Sequence, residues 1–208
     1  MRHTRLITCN HLLWGLAGAA ALASGPVSSA EWLLRVGAHS VDPKSDNHPV
    51  VSVDSGTSLT FDLTYMYTER FGVEVLAALP FEHDITLNAD GSKVGETKHL
   101  PPTVSAQYHF SPGGSIHPYI GVGVNLTRFS SESTTGALSG VDLKLKTSSG
   151  LAVQLGADFD VSDDWVVNVV ARWMDIDSKA ELDGASIGTV KIDPLVLGVS
   201  VGRRFGNR

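Results

Sequence analysis

Between Gly150 and Asp177 the chain alternates apolar and polar positions with a period of two, twice, about a tight turn. Leu151, Val153, Leu155, Ala157 and Phe159 alternate with Ala152, Gln154, Gly156, Asp158 and Asp160. After Ser162-Asp163-Asp164, the residues Trp165, Val167, Val169, Ala171 and Trp173 alternate with Val166, Asn168, Val170, Arg172 and Met174. This predicts a β-hairpin. One face is wholly aliphatic and aromatic, whereas the other carries Gln, Asp, Asn and Arg. Strands of about 9–11 residues, apolar outside and polar inside, suit a transmembrane β-barrel.

The same parity recurs along the chain. Leu59, Phe61, Leu63, Tyr65 and Tyr67 alternate with Thr60, Asp62 and Thr64, and Val73, Val75, Ala77, Leu79 and Phe81 with Glu74, Leu76 and Ala78. Ile120, Val122, Val124 and Leu126 alternate with Gly121, Gly123 and Asn125, and Leu195, Leu197, Val199 and Val201 with Gly198, Ser200 and Gly202. Eight strands are predicted, beginning near Glu31, Gly56, Gly72, His99, His117, Ser149, Asp164 and Thr189. The segments Asp42–Ser55, Asp84–Lys98, Ser130–Thr147 and Ser178–Gly188 are long and polar. The links near Glu69-Arg70, Ser111–Ser115 and Ser162-Asp163 are short. That asymmetry predicts an all-β fold: an eight-stranded antiparallel transmembrane β-barrel with short periplasmic turns and long extracellular loops.

Aromatic positions support this orientation. Trp32, Tyr67, Phe71, Phe110, Tyr119, Phe159, Trp165 and Phe205 place one aromatic near the periplasmic end of each strand, at headgroup level. A sparser set, Phe81, Phe129 and Trp173, is expected at the outer rim. The predicted lumen holds Asp62, Glu74, Gln107, His109, Asn125, Gln154, Asp158, Asn168 and Arg172. Charges in so narrow a lumen must pair or meet water. An Arg172 ion pair with Asp62, Glu74 or Asp158 that only fills the barrel is one expectation; a site for one small ligand is the other.

The first thirty residues stand outside this pattern. Arg2 and Arg5, an apolar run from Leu12 to Ala23, and Ser28-Ser29-Ala30 read as a cleaved secretory signal peptide, 1–30, ahead of a barrel domain, 31–208. The only cysteine, Cys9, leaves with it, so closure must come from strand pairing. Losing two basic residues moves the net charge from −6 to −8 by count, which argues against nucleic acid and polybasic lipid binding.

Other chemistry finds little footing. The eight histidines have no metal-ligand spacing, although His83 and His99 flank the second long segment. Asp175-Ile176-Asp177 lacks the other ligands and the glycine of an EF-hand loop. Parity and height bring together no Ser-His-carboxylate set, and no phosphate-cradling strand–turn–helix surrounds Gly121-Val122-Gly123. No enzyme, cofactor or metal is expected.

The strings LTFDLTYM (59–66), GVEVLAALPFEH (72–83), HLPPT (99–103), PYIGVGVN (118–125), DWVVNVVARWMDID (164–177) and LGVSVGRRF (197–205) resemble the OmpW family of small eight-stranded outer-membrane barrels, which includes the alkane-uptake protein AlkL. The likeness covers nearly all of 31–208. It implies location in the bacterial outer membrane and passive uptake of small hydrophobic molecules. It also implies a lumen constriction built from apolar side chains of the third and seventh strands. Leu76 matches the first position, but Arg172 stands where a bulky aromatic is typical. The chain also continues past Phe205 as Gly206-Asn207-Arg208, whereas such barrels commonly end on the aromatic.

Pro80, Pro101, Pro102 and Pro194 lie within or at the ends of strands, toward the long-loop side. Proline cannot donate to a ladder. Pro80 and Pro101-Pro102 are therefore expected to interrupt pairing between neighbouring strands and leave a lateral seam; the alternative is that they only stop strands and shape loops. The expectation is a barrel in outer-membrane lipid, a monomer, that admits small hydrophobic solutes, with Leu76, Arg172, Asp62, Glu74 and Asp158 at the constriction. Alternatives are a plugged structural or interaction barrel acting through its loops, and a narrow ion-conducting pore.

Overall fold

The computed structural model describes residues 31–44, 47–111 and 113–206. The signal-peptide expectation for 1–30, and Asn207 and Arg208 of the tail, lie outside the described residues. Fourteen strands follow in order: β1 (Glu31–Asp42), β2 (Val51–Val53), β3 (Gly56–Met66), β4 (Phe71–Ala78), β5 (Phe81–Leu87), β6 (Lys93–Leu100) and β7 (Thr103–His109). Then come β8 (Ile116–Thr134), β9 (Leu143–Leu145), β10 (Ser148–Asp160), β11 (Trp165–Met174), β12 (Asp177–Leu182), β13 (Ala185–Lys191) and β14 (Leu195–Gly206).

Eight of these strands close a barrel. Going round the wall, each pairs antiparallel with the next: β1, β3, β4, β7, β8, β10, β11, β14 and back to β1. Closure leaves the wall no free edge, so backbone groups are paired where lipid offers no hydrogen bonds. Side chains alternate as the sequence requires. Leu63, Val75, Val122, Leu155 and Val199 point outward, while Thr64, Glu74, Gln154, Asp158 and Ser200 are buried within.

The periplasmic girdle forms with one substitution. Trp32, Tyr67, Phe71, Phe110, Phe159, Trp165 and Phe205 are exposed on the outside. Tyr119 is not among them. It shares parity with Gly121, points into the lumen and is buried, so β8 presents Ile116 outside instead.

Beyond the apolar band the wall continues as an outer storey. β5 and β6 prolong β4 and β7, β6 pairs with the outer half of β8, and β2 adds to β5. β9, β12 and β13 form a separate three-stranded sheet. The expected long loops are therefore largely β-structure. The eighth wall strand begins at Leu195 rather than near Thr189, because Ala185–Lys191 is drawn into a hairpin with β12 around Asp183 and Gly184, both at positive φ. Lys93–Leu100 is likewise a paired strand ending at the prolines, so no single strand four begins at His99.

Under this storey lies an apolar cluster of Val41, Phe81, Ala152, Met174, Ile176, Ala180, Val190, Ile192 and Val196, flanked by Phe129. It lies on the inner side of the barrel's outer part, above the polar lumen.

Candidate functional site

The polar lumen is a connected network centred on Glu74. Arg172 donates from Nη2 to Glu74 Oε1 at 2.7 Å, Gln107 from Nε2 to Oε2 at 2.7 Å, and Gln154 from Nε2 to Oε1 at 3.1 Å. Arg172 also donates to Gln154 Oε1 and lies 3.6 Å from Asp62. Asp158 does not join Arg172. It receives a two-pronged bond from Arg35 Nε and Nη2, at 2.9 and 2.6 Å, and a third from Asn168. Such fork-on-carboxylate pairs are the strong charge-assisted kind. Arg35 further reaches Thr64 and stands 3.7 Å from Glu74, joining the two halves.

Inward glycines make room for these large groups. A side chain on Gly156 would begin 2.4 Å from the Tyr119 ring, and one on Gly198 2.0 Å from the His39 ring. Tyr119 in turn accepts from Asn168 and stacks on His109 at 5.0 Å between centroids. Seven of the eight wall strands contribute a hydrogen-bonded or ion-paired member. The remaining wall strand, β14, offers Ser200, whose Oγ has no hydrogen-bond partner among the described residues; the same is true of Arg172 Nη1, both nitrogens of His39, and Asp62 Oδ1, which has only its longer ion pair to Arg172.

Parity found Asp62, Glu74, Asp158 and Arg172 as lumen residues, and all are at most 3% exposed. It missed Arg35, which carries half of the network. The signal was available, since Trp32, Leu34 and Val36 are exposed while Leu33 and Arg35 are buried, a plain alternation in β1. Leu76 is buried, opposite Asp62 in register and two residues beyond Glu74, at the border of polar lumen and apolar cluster.

The prolines mark a break in the wall. β4 and β7 pair in register until Leu76↔Thr103, and pairing resumes at Phe81↔His99 between β5 and β6. Leu79-Pro80 lies between the ladders on one side and Pro101-Pro102 on the other. Both flanks stay anchored: Leu79 donates to Leu59 O at 2.9 Å and Leu126 to Pro102 O at 3.0 Å. The discontinuity is thus confined to the boundary between the third and fourth crossings of the barrel, where the outward apolar run of Val73, Val75 and Leu79 ends. Pro194 precedes β14, and its carbonyl accepts from Met174 N at 3.3 Å.

The break also corrects the outer-rim set. Leu79 and Pro80 are both exposed, so parity flips, and Phe81 turns inward to 2% exposure within the apolar cluster. Phe129 packs against the same cluster from β8. Trp173 faces outward, at 41% exposure, paired with Val153 and Leu195 on the lipid side.

Asp175, Asp177 and Asp193 bring carboxylates close together at the outer base of β11, but Lys44 already bridges Asp193 at 3.2 Å.

The family model described as the OmpW family matches residues 29–205. Outer membrane protein W of Vibrio cholerae is 39% identical over 212 residues, covering 92% of this chain and 97% of the relative. Outer membrane protein W of Escherichia coli is 38% identical over 190 residues, covering 85% and 89%. The crystal structure of the outer membrane protein OprG from Pseudomonas aeruginosa superposes with a TM-score of 0.75 at 32% identity, covering 86% of this chain and 97% of that one.

Proposed function

From the premise that this chain belongs to the OmpW family and lies in the bacterial outer membrane, we propose that it admits small hydrophobic molecules passively and releases them sideways into lipid. The observation that carries the proposal is the interrupted pairing at Leu79-Pro80 and Leu100–Pro102, beside an apolar interior. An apolar solute arriving from outside finds apolar walls at Val41, Phe81, Met174 and Val196. Below them it meets Arg35, Arg172, Asp158 and Glu74, and displacing those paired charges gains nothing. Moving sideways through the break gains about 25 cal/mol for each Å² of apolar surface taken from water. The resemblance to a family of hydrophobic-uptake barrels supports the same route.

A second reading, a plugged barrel acting through its outer β-structure, is favoured by the same network, because seven wall strands tie it in place. The two readings part in an uptake assay. Cells with and without the protein are offered an apolar solute and a hydrophilic one of similar size. Faster uptake of the apolar solute alone supports lateral release, and no change in either supports the plugged barrel. Faster uptake of the hydrophilic solute alone would make the lumen a water pore.

A further inference from the structure

The inner wall of the outer storey carries a polar set that neither packing nor the lumen network explains. His83 on β5 and Thr97 on β6 stand directly opposite in register, and His99 lies two residues further along β6, opposite Phe81. All three are at most 3% exposed. His83 Nε2, His99 Nε2 and Thr97 Oγ1 have no hydrogen-bond partner among the described residues. An unmade bond at a buried polar atom is costly, and aliphatic side chains would make a better wall. The rings form a ladder: His83 on His99 at 4.7 Å, His99 on Phe81 at 5.4 Å, and His99 against Phe129 at 6.0 Å. His99↔Phe81 is also the first pair beyond the break in the wall.

His83 Nδ1 lies 2.6 Å from Asp54 O, and a carbonyl only accepts, so Nδ1 carries the proton. In the neutral ring Nε2 is then a bare acceptor. Thr97 supplies a hydroxyl that donates or accepts. Burial holds both imidazoles toward the neutral form, so the set offers no cation. Nearby charges lie on the outward side: Glu82 and Lys98 pair with each other, and Asp84 pairs with Lys93.

We propose that His83, Thr97 and His99 bind the hydroxyl of a neutral apolar alcohol, its hydrocarbon body lying against Phe81 and Phe129 beside the break. This rests on the uptake reading above and deepens it by naming the solute class. The hydroxyl donates to His83 Nε2 and accepts from Thr97. A carboxylate would enter without a counter-charge, and an alkane would leave all three groups unpaired. Sites that hydrogen-bond a hydroxyl discriminate strongly against the analogue lacking it.

The test uses the full-length protein in lipid nanodiscs with ¹⁵N-labelled histidine, titrated with 1-decanol, decane and decanoate. It is paired with uptake of the same three probes by cells. Decanol is expected to shift the His83 and His99 imidazole resonances, and decane and decanoate are not. His83→Phe keeps the ring stack and removes the acceptor; Thr97→Val keeps the shape and removes the hydroxyl. Each is expected to cut decanol uptake about fivefold while decane uptake changes less than about twofold. Heat-modifiable migration identifies folded variants, and Thr97→Val alone decides if His83→Phe does not fold. Absence of imidazole shifts, equal shifts with decanoate, or unchanged decanol uptake in the folded variants overturns the proposal. If the wild type speeds no apolar probe, the uptake reading fails, and the imidazole shifts still judge the site by themselves.

Discussion

Glu74 accepts a hydrogen bond from Arg172 at 2.7 Å across the full width of the barrel. Their strands, β4 and β11, are four places apart in a ring of eight, so this pair spans the lumen rather than lining one side of it. Both side chains are at most 2% exposed. An apolar gate would leave the lumen free to open by side-chain rotation. A buried ion pair across a diameter, tied to Gln107, Gln154 and Arg35, is held from several directions.

Removing one member of that pair strands the other. Glu74→Ala is expected to lower stability by about 3 kcal/mol, at the lower end for a broken buried pair because Arg172 retains Gln154 and Asp62. Glu74→Leu together with Arg172→Leu is expected to recover most of the loss, since well-packed apolar replacements of buried pairs are often neutral. Denaturant midpoints, read by heat-modifiable migration, check both. A Glu74→Ala variant as stable as the parent would mean that the network contributes nothing.

The same network is expected to limit ionic permeability. Arg35→Ala with Arg172→Ala removes the two guanidinium groups filling the lumen and leaves Asp62, Glu74 and Asp158. Planar-bilayer conductance is expected to rise several-fold and to favour cations. Unchanged conductance would place the block elsewhere.

Gly156 tests the packing beneath. Its missing side chain leaves room for the Tyr119 ring, whose nearest atom would lie 2.4 Å from a new Cβ. Gly156→Val is expected to cost at least about 1–3 kcal/mol, the usual range for overpacking, in the same assay. Gly91, in an outer turn with nothing within 4 Å, serves as the contrast in position but not in conformation, since its φ is +71°.

Much of this was legible from period alone, because a closed barrel forces every side chain in or out. Asp62, Glu74, Asp158 and Arg172 fell on the inner face for that reason, and Tyr119 falls there too once its parity with Gly121 outranks its place near a turn. Phe81 was not legible. Its inward turn depends on two successive exposed residues, Leu79 and Pro80, and a proline alone does not say whether it ends a strand or shifts its phase. Partner choice was equally hidden. Sequence offered Arg172 three carboxylates, and only the side-chain bonds across the lumen show that Asp158 belongs to Arg35, which in register stands opposite Asp62.

A pH dependence is expected in the outer storey, which stands above the apolar band at the level of the exposed Glu82–Lys98 pair. Burial lowers the His83 and His99 imidazoles from the ordinary 6.5, His99 to about 3, and the carbonyl of Asp54 and the charge of Asp84 only partly oppose this at His83. The unfolded hairpin therefore takes up protons that the folded one refuses. Stability is complete above pH 6.5 and declines as pH falls toward the folded values. Amide protection in β5 and β6, with the intrinsic slowing of exchange toward acid divided out, should show an excess loss as pH falls from 7 to 5. In His83→Phe/His99→Phe that excess should vanish. Equal pH dependence in parent and variant would contradict the assignment.

The most direct test of lateral release is decane uptake by cells carrying Pro101→Val/Pro102→Val. Valine restores two backbone donors between β6 and β7 and favours continuous pairing opposite Leu79-Pro80. Lateral release predicts a correctly folded, heat-modifiable barrel whose decane uptake falls to the level of cells lacking the protein. Undiminished uptake in that folded variant would contradict it.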